Sequence, residues 1–144
     1  MSIAETESRI IDEFNAFDDW MDKYSYLIEM GKSLEPLDPQ FKVQNNLISG
    51  CQSRVWLHAI YKDGKVRFFA DSDAVITKGL ICLMIRVLDN QSPDDIMNAK
   101  LEFVDQIGLR EHLSHTRSNG LVSMIKQMKL YALAFKTKEA TQIT

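Results

Sequence analysis

Cysteine and histidine, the residues that most often build redox and metal sites, are scarce in this sequence. Its 144 residues include two cysteines, Cys51 and Cys82, and three histidines. Two cysteines are too few for the disulfide framework of a small secreted domain, and they do not form a Cys-x-x-Cys pair. His112 and His115 are three residues apart, which fits no common zinc or iron–sulfur spacing. The sequence therefore argues against a disulfide scaffold and a dithiol redox motif, and it predicts no metal site.

Excess positive charge and long apolar segments are missing as well. The net charge is −3 and the sequence pI is about 5.6, whereas a nucleic-acid-binding protein usually carries a basic stripe. The longest apolar run, residues 80–85, is far too short to cross a bilayer. The first residues lack the basic region and apolar core of a secretory signal. These features predict a soluble, cytoplasmic protein whose cysteines are reduced.

The pattern along the chain favours an α+β fold. The length predicts one domain over residues 1–144. Residues 55–61 and 66–70 alternate between apolar and polar positions around Asp63-Gly64, a dipeptide preferred in tight hairpin turns. A third strand is expected around residues 41–43, because two strands alone are marginally stable. The strands form one block between helices, so we predict a small three-stranded antiparallel sheet packed against several helices.

Helical periodicity predicts the elements on either side of this sheet. A first helix is expected over residues 2–17, and a second begins at Asp18 as N-cap and ends at Gly31. Residues 74–88 are apolar on nearly every side, which predicts a buried helix capped by Ser72 or Asp73. A last long helix is expected over residues 116–136.

Cys51 is the most distinctive reactive group. It lies between Gly50 and Gln52-Ser53, in a loop just before the first strand. Successive backbone N–H groups in such a loop can stabilise an anion, which would lower the pKa of the thiol. The alternative is that Cys51 is simply a small residue in a turn, and spacing alone does not separate the two. Cys82 lies within the most apolar helix, where a free cysteine behaves as a small hydrophobic residue.

The sequence provides no obvious catalytic partner for Cys51. His58 is seven residues further on, roughly 20 Å away along an extended strand. A nucleophilic cysteine with no recognisable catalytic base or cofactor motif is typical of a group carrier, which accepts a group on sulfur and passes it on. Two alternatives stay open: a thiol enzyme with a histidine such as His115 as its base, and an interaction module in which Cys51 is structural.

The residues around Cys51 resemble the signature of the SufE family. Residues 50–56 read Gly-Cys-Gln-Ser-Arg-Val-Trp, similar to the family's Gly-Cys-Gln-Ser-x-Val-Trp. Residues 71–80 and 117–121 resemble further family segments, Ser-Asp-Ala followed by Lys-Gly-Leu, and Arg-Ser-x-Gly-Leu. The resemblance extends in order over essentially the whole chain. It implies a fold similar to that of IscU-type scaffold proteins.

The resemblance also implies a function in sulfur transfer. It implies that Cys51 accepts persulfide sulfur from a pyridoxal-phosphate-dependent cysteine desulfurase, SufS or a CsdA-type relative, and stimulates that enzyme. The sulfur would pass to a SufBCD-type scaffold for iron–sulfur cluster assembly. The pyridoxal phosphate belongs to the desulfurase, so this chain is expected to bind no cofactor and to be a carrier rather than an enzyme. Asp73 and Arg117 lie in matched segments and are expected to dock the partner or set the cysteine loop. We also expect the Cys51 side chain to be tucked inward in the free protein and the loop to swing out on docking.

Overall fold

Helices surround a β-hairpin in the computed structural model, which describes residues 1–143, with side chains through residue 139. The hairpin strands are β1 (Val55–Lys62) and β2 (Lys65–Ser72). The helices before it are α1 (Ile3–Asn15) and α2 (Trp20–Lys32), and those after it are α3 (Val75–Leu88), α4 (Pro93–Asn98), α5 (Phe103–Gln106), α6 (Leu109–His112) and α7 (His115–Ile143). The α+β prediction is confirmed. No helix in this described part is long and apolar enough to cross a membrane.

The predicted hairpin is present in the expected register. Val55 pairs with Ser72 and Lys62 with Lys65 in an antiparallel ladder. Asp63 and Gly64 both have positive φ, 54° and 77°, as a type I′ turn requires. The inward-facing side chains of both strands are buried in the core: Val55, Leu57, Ala59, Val66, Phe68 and Ala70.

The predicted third strand is wrong. The sheet has two strands within residues 1–143, and the segment before β1 forms two 3₁₀ turns, Pro39–Phe41 and Gln44–Asn46. Local side chains satisfy the backbone there: Asp38 accepts from the backbone N–H of Gln40, and the Asn46 amide donates to the Phe41 carbonyl at 2.8 Å. These bonds compete with strand pairing. What remains is an isolated bridge between Leu47 and Trp56.

The ends of α2 differ from the prediction. Asp19, not Asp18, caps the helix by accepting from the backbone N–H of Asp22 at 2.9 Å. The helix continues through Gly31 to Lys32, so Gly31 does not terminate it. Gly31 instead allows α2 to cross closely over α3, since a Cβ there would lie 2.8 Å from the backbone nitrogen of Gly79. The two glycines therefore bring α2 and α3 into close contact.

The core lies between the hairpin, α3 and α7. The apolar residues of α3 are buried as predicted, including Leu80, Ile81, Leu83 and Met84. Helix α7 begins at His115 and is longer than predicted, and its inward stripe contributes Leu121, Met124, Met128 and Ala132. Because α7 runs past the hairpin, its first turns lie beside the loop that precedes β1.

Candidate functional site

The side chain of Cys51 is turned toward the first turns of α7. Its thiol donates a long hydrogen bond to the carbonyl oxygen of Gly120, with an Sγ···O distance of 3.6 Å. A Cβ on Gly120 would lie 3.5 Å from the same Sγ atom. Cys51 is half-buried and not part of a disulfide. The inward position expected of the thiol is therefore observed, and the sulfur lies close enough to α7 that a methyl group at residue 120 would be in van der Waals contact with it.

Gly50 determines how closely the loop approaches α7. Its φ is +89°, a backbone conformation that favours glycine, and a Cβ there would lie 2.5 Å from the Oγ atom of Ser123. Any other residue at this position would be strained and would also contact α7 too closely. The glycine that precedes the cysteine is therefore needed for the docked conformation of the loop.

The end of the cysteine loop is held by two polar residues that lie where β2 leads into α3. The Arg54 backbone N–H donates to the Asp73 carboxylate at 3.0 Å, and the Ser72 hydroxyl donates to the Arg54 carbonyl at 2.8 Å. The Asp73 N–H also bonds this carbonyl, at 3.3 Å, and its carboxylate forms an ion pair with the Arg54 side chain at 3.5 Å. The prediction that Ser72 or Asp73 caps α3 is wrong, because the N-cap residue is Ala74 and no side chain caps the helix. Asp73 instead contacts the loop.

Arg117 lies in the first turn of α7, beside the cysteine. Its backbone N–H donates to the Ser114 hydroxyl at 3.3 Å, and the residue is exposed. With Cys51 and Thr77 it lines a cleft of about 290 Å³, which is open to solvent and has both polar and apolar walls. The structure thus brings Cys51 and Arg117 to one cleft, with Asp73 at the end of the same loop.

Burial changes the acidity of the thiol in the direction opposite to the sequence-based expectation. Desolvation raises the pKa of Cys51 above its ordinary value. Backbone N–H groups in the loop would lower the pKa of the thiol, but the sulfur faces a carbonyl oxygen instead. A carbonyl accepts a hydrogen bond from the neutral thiol and does not stabilise the thiolate. The resting form is therefore the protonated thiol.

The histidines do not supply a base for Cys51 within the described residues. His58 stacks on Phe41 with ring centroids 3.8 Å apart, and burial lowers the pKa of its imidazole. His112 stacks on Trp20 at 4.0 Å. His115 begins α7 and is exposed. None of the three lines the cleft or hydrogen-bonds the thiol.

The other cysteine is part of the core, as predicted. Cys82 is 6% exposed and donates to the carbonyl of Met30 at 3.2 Å. No group of three or more metal-ligating side chains was found in the described part of the chain. Sequence reasoning missed Gly120 and Ser123 as parts of the site. Nothing in their spacing places α7 against a loop some seventy residues earlier, although Gly120 lies in one of the segments that resemble the family.

The fold and the site define a small α+β domain that presents one half-buried thiol at a cleft. The family model described as "SufE: Fe-S metabolism associated domain" matches residues 8–132. The chain belongs to the SufE family, whose domain is associated with iron–sulfur metabolism.

Several relatives support this assignment. The chain is 40% identical over 117 residues to "SufE-like protein 1, chloroplastic/mitochondrial" of Arabidopsis thaliana; the match covers 81% of this chain and 32% of that protein. The chain thus spans about a third of that relative's length. An uncharacterized SufE-like protein of Synechocystis sp. is 35% identical over 129 residues, covering 90% of this chain and 81% of the relative. One from Rhizobium meliloti is 38% identical over 126 residues, covering 84% and 90%.

A solved structure shows the same fold. The solution structure of a hypothetical protein from Thermus thermophilus superposes with a TM-score of 0.76 and 20% sequence identity. The superposition covers 92% of this chain and 96% of the other. At this identity the likeness concerns the arrangement of helices and hairpin alone.

Proposed function

We propose that this protein is a sulfur carrier that accepts a sulfane sulfur on Cys51 from a pyridoxal-phosphate-dependent cysteine desulfurase of the SufS type. The observation that carries the proposal is a single half-buried thiol that rests on a carbonyl at an open cleft and has no histidine beside it. A thiol enzyme of the cysteine–histidine type needs a base within hydrogen-bond reach. A carrier needs only a nucleophile that its partner can activate.

The transfer step requires the thiolate of Cys51. This thiolate attacks the outer sulfur of the desulfurase persulfide, forming a new S–S bond while the donor S–S bond breaks. The desulfurase cysteine leaves as a thiolate and takes up a proton, so no outside oxidant or reductant is consumed. Because burial raises the pKa of the resting thiol, docking has to move the loop or supply a base. A loop that swings out from α7 on docking meets this requirement.

Asp73 and Arg117 are proposed to support the encounter. Arg117 offers an exposed guanidinium at the cleft, which suits a carboxylate of the desulfurase. Asp73 holds the end of the loop through Arg54. The sulfur then passes to a SufBCD-type scaffold, and the protein stimulates the desulfurase by removing its sulfur. The cytoplasmic location stays a prediction from the sequence.

The loading step is tested by intact mass spectrometry. The protein is mixed with the desulfurase and cysteine, without reductant, and we expect a gain of about 32 Da, one sulfur atom. Cys51→Ser should abolish the adduct, whereas Cys82→Ala, which changes the core cysteine, should retain it. A missing adduct on the wild type, or equal stimulation of the desulfurase by Cys51→Ser, contradicts the proposal. Running SufS and a CsdA-type enzyme in parallel identifies the partner, and omitting both tests whether the protein has desulfurase activity of its own.

The movement of the loop is tested separately. Iodoacetamide labelling of Cys51 is timed in the Cys82→Ala background, with and without the desulfurase. We expect faster labelling during docking, and equal rates would rule out loop opening on contact.

Replacing Arg117 by alanine should raise the concentration of this protein that is needed for half-maximal stimulation of the desulfurase. An unchanged value would remove Arg117 from the docking surface.

A further inference from the structure

The outward side of α7 carries an apolar surface that the sulfur-transfer site does not use. A shallow groove of about 420 Å³ lies between α4 and α7. We call it the α7 groove; its main residues are Met97, Val122, Lys126, Lys129, Leu130 and Leu133. The side chains of Val122, Leu130 and Leu133 are 47%, 46% and 45% exposed. Apolar side chains clustered on a surface in this way mark interaction sites more often than those scattered singly.

The charges around the groove indicate what covers it. Lys126 is exposed and forms no ion pair with any residue that the structure describes. The Lys129 ammonium donates to the backbone carbonyl of Ala99, so its charge is not neutralised by a carboxylate. Outside the groove, Asp94 of α4 is paired with Lys136 of α7. An apolar strip with uncompensated lysines is complementary to an apolar strip flanked by carboxylates.

A second copy of the chain fits this surface poorly. In a two-fold symmetric contact the same patch faces itself. Lys126 and Lys129 lie near the middle of the groove, so self-association would oppose lysines to lysines. An anionic bilayer is also a weaker match, because two lysines provide little attraction to a charged membrane.

The groove is also separate from the Cys51 cleft. Gly120, which contacts Cys51, and Val122 are two residues apart on α7, hence about 200° around the helix axis. A molecule in the groove therefore leaves the thiol accessible. We propose that the α7 groove docks an amphipathic helix of a partner protein, with an apolar stripe flanked by Asp or Glu, and that Cys51 stays accessible while this helix is bound. This inference does not depend on the proposed function.

The probe for this proposal is a fluorescein-labelled synthetic helix with leucines at positions i, i+3 and i+7, flanked by glutamates. A matched peptide has lysines in place of the glutamates. Fluorescence anisotropy should show binding of the acidic peptide and about tenfold or weaker binding of the basic one. Lys126→Glu should weaken the acidic peptide about tenfold and strengthen the basic one, while Leu130→Gln should weaken both. Lys138→Glu, the same charge change outside the groove, should have no effect.

Three further results would overturn the proposal. The first is equal affinity for both peptides, or the same loss in the Lys138→Glu control. The second is a change in the Cys51 alkylation rate when the acidic peptide is bound, since the two surfaces would then not be independent. The third is a different occupant: a dimer in sedimentation velocity, or co-sedimentation with phosphatidylglycerol vesicles, that Leu130→Gln abolishes. Circular dichroism of each variant confirms that these exposed substitutions leave the fold intact.

Discussion

Replacing Gly50 by alanine should release the cysteine loop from α7 and make Cys51 more reactive. Two effects of the added methyl group oppose the docked loop. The φ of +89° is disfavoured for alanine, at a cost of about 1–3 kcal/mol. The new Cβ would also lie 2.5 Å from the Ser123 hydroxyl oxygen, which has to rotate or move away.

The size of the effect follows from where this strain is relieved. If the loop leaves α7, the strain disappears, and the equilibrium between docked and open loop shifts by its full amount. Each 1.4 kcal/mol is a factor of ten, so about 1–3 kcal/mol corresponds to roughly 5- to 150-fold more open loop. The open thiol is no longer desolvated, so its pKa falls toward the ordinary value and more thiolate is present at neutral pH. The alkylation rate should rise accordingly.

The assay is iodoacetamide labelling followed by mass spectrometry, in the Cys82→Ala background. Gly64→Ala is the matched control, because Gly64 also has positive φ, +77°, but lies in the hairpin turn, where an added methyl would have no atom within 4 Å. It should lower stability by a similar amount and leave labelling unchanged. In the double variant Gly50→Ala/Ser123→Ala the clash with the Ser123 hydroxyl is removed while the backbone strain stays. Its labelling rate should therefore lie between those of the wild type and Gly50→Ala. Labelling that is unchanged in Gly50→Ala, or accelerated equally in Gly64→Ala, would refute the reasoning.

Three further predictions concern the same site. Because burial raises the pKa of Cys51, the folded protein keeps the thiol proton to higher pH than the unfolded chain. This difference favours folding fully below the pKa of Cys51 in the unfolded chain, about 8.5, and the contribution is lost as pH rises above that value. In urea melts, the free energy of unfolding should therefore fall less steeply at alkaline pH for Cys51→Ser than for the wild type. Asp73→Asn should lower the free energy of unfolding by about 1 kcal/mol and speed Cys51 alkylation, because it weakens the bond that holds the end of the loop. Arg54→Gln removes a largely exposed ion pair but keeps the backbone N–H donor, so it should change neither measurement appreciably. Gly120→Ala should stabilise α7 by up to about 1 kcal/mol in thermal melts and slow alkylation, since its Cβ makes an ordinary 3.5 Å contact with the sulfur; a loss of stability would contradict this.

Local sequence signals predicted those features that local interactions determine. The hairpin follows from strict alternation around Asp63-Gly64, whose positive φ values match the turn. The burial of α3 follows from its apolar composition. The third strand failed for a local reason as well, since side-chain bonds such as that of Asp38 to its own turn compete with strand pairing. A pattern of residue types alone does not show whether such local side-chain bonds or the backbone bonds of a strand pair are more favourable.

The remaining errors depend on contacts between distant segments. Gly31 near the end of a helical pattern is typical both of a helix stop and of a close helix crossing, and its position against Gly79 decides between them. Asp73 before an apolar helix suits an N-cap, yet its carboxylate bonds Arg54, nineteen residues earlier. The pKa of Cys51 is raised by burial, and that burial depends on α7, which places Gly120 beside the sulfur from sixty-nine residues away. Sequence identified the reactive residue, while its electrostatic environment required the fold.

The way the loop is anchored explains how a thiol can be both protected and deliverable. The two ends are held firmly: the Ile48 N–H bonds the Val55 carbonyl at 2.9 Å, and Arg54 is held by Asp73 and Ser72. Between these anchors, Cys51 packs half-buried against the core, and its hydrogen bond is a 3.6 Å contact from a thiol, a weak donor. Opening residues 49–53 therefore breaks few favourable contacts and leaves the hairpin and α3 in place. This is the behaviour of a local unit of low stability. A partner that supplies a few favourable contacts can displace the loop without unfolding the domain, and closure restores the protonated, half-buried thiol.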